Sequence, residues 1–351
     1  MNSVAPYLKH SEPSNIATNA RMMLSLILLA FVCVAADLIV GMRGIDVGTD
    51  TYVYAQFFES LRGGPAQTRF EPGFLFLTEL LSACGFSVKA YQLILFATLL
   101  CMAFLAARRY FDYLGGGRGY MTFLSACLMM LLFSPMFVNA SINAMRQGLA
   151  ALPVFAALLC FQQRQWRGFF LYGVVACCFH YSSLLYLACA PLLLLNVRLQ
   201  RIAAIFAFVA YCTGLTMVVV RSAVPALYNA VMDYSLSANY RSGVRIDFAV
   251  FSIFWYLLPF LLSGLVRKPF NQRIKDSTSV YLVMVLPFFI MGWGNFSNRY
   301  LLPAYLAASL MVAALLFHNR LSMLRNPILL RGALILSCAA FLYYVTNQVV
   351  V

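Results

Sequence analysis

The sequence predicts an all-α, polytopic integral membrane protein, and three observations lead there. The 351 residues are 63% hydrophobic and 10% charged, whereas a soluble domain carries about a quarter charged residues. Apolar runs of about 20 residues, each long enough to span a bilayer as a helix, recur along the chain. The mean hydropathy of +0.82 is reached without any internal repeat, low-complexity tract or polar domain, so residues 1–351 read as a single membrane domain. A net charge of +14 raises nucleic acid as a partner, but the basic residues are scattered singly and in pairs. In a membrane protein such scatter reflects topology and anionic lipid headgroups. Ten cysteines, with no CxxC pair and all but Cys84 in apolar runs, support neither a disulfide framework nor a metal site.

The first element follows a polar stretch, 1–21, expected to be a cytoplasmic tail. The run from Met22 to Val40 reads as an uncleaved first helix, since no small-residue cleavage site follows it. Further spanning segments are expected at 89–107, 120–138, 146–162, 168–181, 183–196, 202–220, 248–266, 278–294, 300–317 and 332–349. Most basic residues fall in alternate connecting segments, against three acidic ones there, Glu12, Asp112 and Asp276. The positive-inside rule then fits about eleven crossings with the N-terminus cytoplasmic. Segment 168–196 is the weak point. Its two halves are each short for about 30 Å of hydrocarbon, so a broken or re-entrant pair is expected, with His180, Tyr181, Ser182 and Ser183 at its tip.

Two outer loops are long, 41–89 and 221–247, and periplasmic in this topology. In the first, Tyr54, Phe57, Phe58 and Leu61 recur at helical spacing, the pattern of a short interfacial helix. "EPGFLFLTELL" opens with a proline suited to a helix start and predicts a second short helix.

Outer-face charges carry the chemistry, because positive charge there opposes the insertion bias. Arg146 in "NAMRQGLA" and Arg299 in "FSNRYLLP" each begin an inward-running helix. They either snorkel to lipid phosphate or, with exposed helix N–H groups, hold a phosphate or diphosphate. Arg43, Arg241 and Arg245 are further candidates, as are Gln147 and Tyr300 beside the two principal arginines; Tyr52 and Tyr54 are placed to stack on sugar. Asp50 either caps the helix beginning at Thr51, pairs with an arginine, or acts as a base. Glu71 is either a helix-start residue or a functional carboxylate, and His180 either a satisfied buried histidine or a site residue at a broken helix.

The order "RGIDVGTDTYVY", "EPGF", "NAMRQGLA", "HYSSLL" and "NRYLLP" resembles the EpsG-like family of bacterial exopolysaccharide polymerases, related to the Wzy-type polymerases. The likeness runs from about residue 40 to 306. It implies a glycosyltransferase of the bacterial inner membrane, working on the periplasmic face without a cofactor. The implied substrate is an undecaprenyl-diphosphate-linked oligosaccharide, built into exopolysaccharide, capsule or O-antigen. It places diphosphate near Arg43, Arg146 and Arg299, with Asp50, Glu71 and His180 on the acceptor side. A flippase and a chain-length regulator are the partners that go with such an activity. The competing readings are a lipid-linked oligosaccharide flippase or transporter, expected to show repeat-related halves, and an O-antigen ligase using the same donor.

Overall fold

The computed structural model describes residues 15–64, 68–232, 242–294, 296–321 and 326–349. Every expected spanning segment contains helix, and the described residues form no strand beyond an isolated bridge between Val266 and Asn319. In chain order the helices are α1 (Asn15–Gly41), α2 (Thr51–Ser60), α3 (Pro72–Ala83), α4 (Val88–Leu114), α5 (Tyr120–Leu132), α6 (Pro135–Ile142), α7 (Met145–Gln162) and α8 (Trp166–Phe179). They continue as α9 (Ser183–Ala188), α10 (Val197–Cys212), α11 (Leu215–Ala223), α12 (Pro225–Met232), α13 (Ile246–Leu261), α14 (Lys268–Met291), α15 (Leu302–Phe317) and α16 (Pro327–Thr346).

The core is built from α7, α14 and α15, which are buried over most of their length. Small residues allow it: α7 reads "GLAALPVFAALL", and Ala150, Ala151, Ala156 and Ala157 are all closed off from solvent. Helices α1, α13 and α16 form the periphery, presenting apolar side chains such as Phe31, Leu261 and Ile328 outward, as contact with lipid requires.

Two expected single spans are broken. Segment 120–138 becomes α5 and α6, bent by 78°. Pro135 lacks an amide hydrogen and pushes Ser134 into an extended conformation (ψ 118°), so the helix cannot run through. Segment 202–220 becomes α10 and α11, bent by 87° at Gly214, whose φ of +75° suits glycine. Among the described residues seven helices are long and apolar enough to cross a membrane, or nine if each bent pair is one span. The expected eleven would also require both halves of 168–196. There α8 has 14 residues, about 21 Å of helix against about 30 Å of hydrocarbon. The chain breaks at His180 and resumes as α9, so the short pair is present while a count of eleven is not confirmed.

Both helices expected in the first outer loop form. Helix α2 buries Thr51, Tyr54, Ala55 and Phe58 along one face, with Phe58 stacked on Tyr91 of α4. Helix α3 starts at Pro72 and packs on α8. Loop 221–247, expected as the second outer one, holds α12, which the sequence reading did not anticipate.

Candidate functional site

The ends of α6 and α8 organise the site. The chain from α6 into α7 turns so tightly that a Cβ on Gly148 would lie 2.6 Å from the Ala140 carbonyl oxygen. The turn exposes acceptors that hold the loop after α1. Asn143 Oδ1 accepts from the Thr49 amide at 2.7 Å, and the Ile142 carbonyl accepts from Thr51 Oγ1 at 2.8 Å. Gly48, at φ +91°, crosses so close that a Cβ would meet the Ile142 oxygen at 2.4 Å. Asp50 is thereby delivered to the start of α7.

Arg43 serves this loop from inside. It is 7% exposed, donates to the Val40 carbonyl at 2.5 Å and to Thr51 Oγ1 at 3.2 Å, and does not line the cavity described below. Burial lowers its pKa to about 10.

Helix α3 comes equally close to the end of α8: a Cβ on Gly73 would sit 2.8 Å from Cys178 Cβ and 2.9 Å from its carbonyl oxygen. Pro72 keeps Glu71 extended (ψ 150°), and the Glu71 side chain makes no capping bond to its own helix. It reaches across instead. Arg146 donates to Oε2 at 2.5 Å, His180 Nδ1 lies 2.8 Å from Oε1, and the Tyr181 amide donates to Oε1 at 3.3 Å. Glu71 is 3% exposed, so burial pushes its pKa up, but His180 and Arg146 outweigh that and hold it down to about 2. Arg146 also lies 4.6 Å over the Phe70 ring and approaches the Tyr54 hydroxyl at 3.4 Å.

The second ion pair is looser. Arg299, in the 3₁₀ turn Ser297–Leu301, meets Asp50 Oδ2 at 3.3 Å and lies 4.4 Å over the Phe296 ring. Asp50 makes no capping bond to α2. Burial raises its pKa, and although Arg299 and Arg146 oppose the shift, the net direction is upward. Gln147 and Tyr300 fix this turn: Gln147 Nε2 donates to the Arg299 carbonyl at 2.5 Å, and the Tyr186 hydroxyl donates to the Tyr300 carbonyl at 2.9 Å.

These groups surround one cavity of about 260 Å³. Asp50, Tyr54, Arg146, Gln147, His180 and Arg299 line it, with Ser182, whose hydroxyl has no partner among the described residues, and Tyr300. Val231 of α12 closes one side against Gly294. Arg245 lies elsewhere: half-buried, it holds the exposed Asp247 through two bonds, at 3.0 and 2.6 Å. Arg241 lies outside the described residues. Sequence reasoning missed Ser182 as a lining hydroxyl, the rings of Phe70 and Phe296 beneath the arginines, and α12. Only the apolar "PALYNAVM" after a proline hinted at that helix.

Fold and cavity together define a multi-pass membrane protein whose polar chemistry is gathered at the helix ends of one face, where two arginines share a hollow. The model of the EpsG family matches residues 26–350, nearly the whole chain, and the protein belongs to that family. Membership fits a polysaccharide polymerase in general. No curated protein and no solved structure matches the chain.

Proposed function

We propose that this protein is a membrane glycosyltransferase that polymerises oligosaccharide repeat units carried on undecaprenyl diphosphate, at the periplasmic face of the bacterial inner membrane. The observation that carries the reading is the shared cavity: Arg146 and Arg299, 153 positions apart in the chain, face one polar hollow beside the uncapped first turn of α7. Two guanidinium groups and open helix amides form a receptor for a dianionic leaving group.

In this reaction the acceptor sugar hydroxyl attacks the anomeric carbon of the donor glycan. The bond from that carbon to the diphosphate oxygen breaks, and the lipid diphosphate departs with the electron pair. Arg299 and Arg146 stabilise the charge that builds on it. The hydroxyl proton goes to His180. Glu71, an ionised acceptor, fixes the hydrogen on Nδ1 and leaves the Nε2 lone pair free to receive that proton. Glu71 is therefore a positioning residue, and Asp50 holds Arg299 until diphosphate displaces it. An apolar groove of about 430 Å³, lined by Pro72, Phe169, Gly173, Val174 and Tyr181, adjoins Glu71 and His180 and suits an isoprenoid tail.

The test is a purified-protein assay with a synthetic lipid-diphosphate repeat unit. A ladder of products is expected, lost in Arg146→Ala and Arg299→Ala. A ladder that persists in both variants overturns the site assignment; transfer confined to a lipid A core acceptor replaces polymerase with ligase. Orientation is read at Cys84, exposed after α3. A membrane-impermeant thiol reagent is expected to label it in intact spheroplasts, and labelling only after lysis reverses the topology.

A further inference from the structure

We propose that the face of the bundle opposite the arginine cavity carries a separate anion site, built to hold one phosphate group between the glycine loop after α4 and the start of α14. It does not depend on the proposed glycosyl transfer.

The sequence signal is "LGGGRGYMT". After α4 ends at Leu114, Gly115, Gly116, Gly117 and Gly119 adopt φ of +119°, +59°, +102° and +95°. Only glycine takes such a run without strain. The loop hands the chain to α5, whose N-cap is Gly119, so no side chain closes its first turn. A 13-residue helix thus begins with open amides, where a serine or aspartate would ordinarily accept from them.

That feature alone would mean little, but it opens onto a cavity of about 440 Å³ with other donors in its wall. Arg118 and Arg267 both line it, and among the described residues neither is paired with a carboxylate. Asp112, beside Gly116, is engaged by Arg108 at 3.1 Å. Thr122 adds a hydroxyl to the lining.

The second, independent sign is His318. This residue lines the cavity, is 5% exposed, and its Nε2 is buried without a hydrogen-bond partner among the described residues. Its ring is stacked on Phe270 at 3.7 Å and meets the edge of Phe317 at 4.8 Å. A buried imidazole nitrogen left unsatisfied is costly unless something meets it. Arg118 and Arg267 only donate, and His318 Nε2 donates in one of its tautomers, a set that favours an anion.

The frame is also stiff. The Arg267 amide donates to the His318 carbonyl at 3.1 Å, and the Arg320 amide donates to the Leu265 carbonyl at 2.7 Å, tying the start of α14 to the end of α15. Phosphate is the anion that matches two guanidiniums plus a helix start. It can belong to an anionic phospholipid headgroup or to a phosphate ester in solution.

Native mass spectrometry of the full chain in a neutral detergent tests the site, with phosphatidylglycerol and inorganic phosphate as probes and phosphatidylcholine as control. One phosphate-bearing adduct per chain is expected beyond any held by the Arg146 and Arg299 cavity. It is weakened roughly tenfold or more in Arg118→Gln/Arg267→Gln, since each lost charge-assisted bond exceeds the 1.4 kcal/mol that a decade requires. Arg299→Gln should leave that adduct in place, separating it from the other face. Phosphatidylglycerol retained in the presence of inorganic phosphate identifies a lipid headgroup; displacement by inorganic phosphate identifies a soluble ester. Because both arginines are exposed, the double variant should keep the wild-type melting temperature. Equal retention by the wild type and the double variant, equal retention of phosphatidylcholine, or no adduct with either probe overturns the proposal.

Discussion

Glu71 and Asp50 each answer an arginine of the same cavity, yet their surroundings differ. Glu71 is 3% exposed and satisfied on both oxygens, by Arg146 at 2.5 Å and by His180 at 2.8 Å. Asp50 touches Arg299 once, at 3.3 Å, and both side chains keep more than a quarter of their surface exposed, 28% and 27%. Desolvation makes the first pair costly to separate, whereas water and ligands compete freely for the second. The difference separates two jobs in one hollow. One wall is assembled before substrate arrives and aims an imidazole; the other stays exchangeable and offers a guanidinium.

The largest expected effect comes from breaking the assembled wall. Glu71→Gln leaves Arg146 without its counter-charge and His180 without a fixed tautomer. Unfolding stability should fall by about 3–5 kcal/mol, the usual consequence of removing one partner of a buried pair. Product formation should fall about 10²–10⁴-fold, the range for general acid–base catalysis. Thermal melts and the product ladder read the two losses, and a variant with wild-type values for both erases the distinction between the walls. Acid sharpens it further. The Glu71 pKa falls on folding from 4.5 to about 2, so its stabilisation is complete above pH 4.5 and is lost as pH falls towards 2. The pKa of Asp50 rises, so ionising it opposes folding and protonation relieves that cost. Acidification should therefore ease the Asp50 wall first and dismantle the Glu71 wall last, and Glu71→Gln should lack the late transition in a pH series of melts.

The next effect lies on the exchangeable wall. Arg299→Gln should change stability by no more than about 1 kcal/mol, because the pair it breaks is partly exposed. Losing a charge-assisted bond to diphosphate should raise KM for the lipid-linked donor by roughly tenfold to a hundredfold. Substantial unfolding in place of a KM change would show that both pairs are structural.

Two glycines transmit smaller changes. Gly73→Ala places a methyl group 2.8 Å from Cys178 Cβ, and Gly48→Ala places one 2.4 Å from the Ile142 oxygen at a positive φ. Each overpacking should cost about 1–3 kcal/mol. The two should part in kinetics: Gly73→Ala moves Glu71 relative to His180 and lowers kcat, whereas Gly48→Ala moves Asp50 and raises KM. Identical kinetic signatures would mean that the walls are mechanically one.

Much of this was legible in the sequence, and the gaps have physical causes. Apolar length and arginine spacing located the long apolar helical segments, though not α12, because a bilayer forces backbone bonding within each segment. They could not show that Ser134–Pro135 and Gly214 bend two of them, since hydropathy is blind to direction. Arg146, Arg299, Asp50, Glu71 and His180 stood out as charges or a histidine on an unfavoured face or at a break, and the structure gathers them. Arg43 carried the same signal but turned inward to clamp its own loop. Pairing partners were hidden throughout: the His180–Glu71 contact spans 109 positions and the Arg299–Asp50 contact 249.

Arg245 provides the smallest expected effect and the control on the whole comparison. Like Arg146 and Arg299, it is a basic residue that the sequence places on the expected outer face. It differs in what it faces: Asp247 takes two of its donors and the cavity lies elsewhere, although the side chain is about as exposed as that of Arg299. Arg245→Gln should alter stability by less than about 1 kcal/mol, as expected for an exposed pair, and leave the donor KM at its wild-type value. If the ladder instead fails as it does in Arg299→Ala, donor binding extends beyond the hollow shared by Arg146 and Arg299. The distinction between a fixed and an exchangeable wall would then describe only part of a larger basic surface.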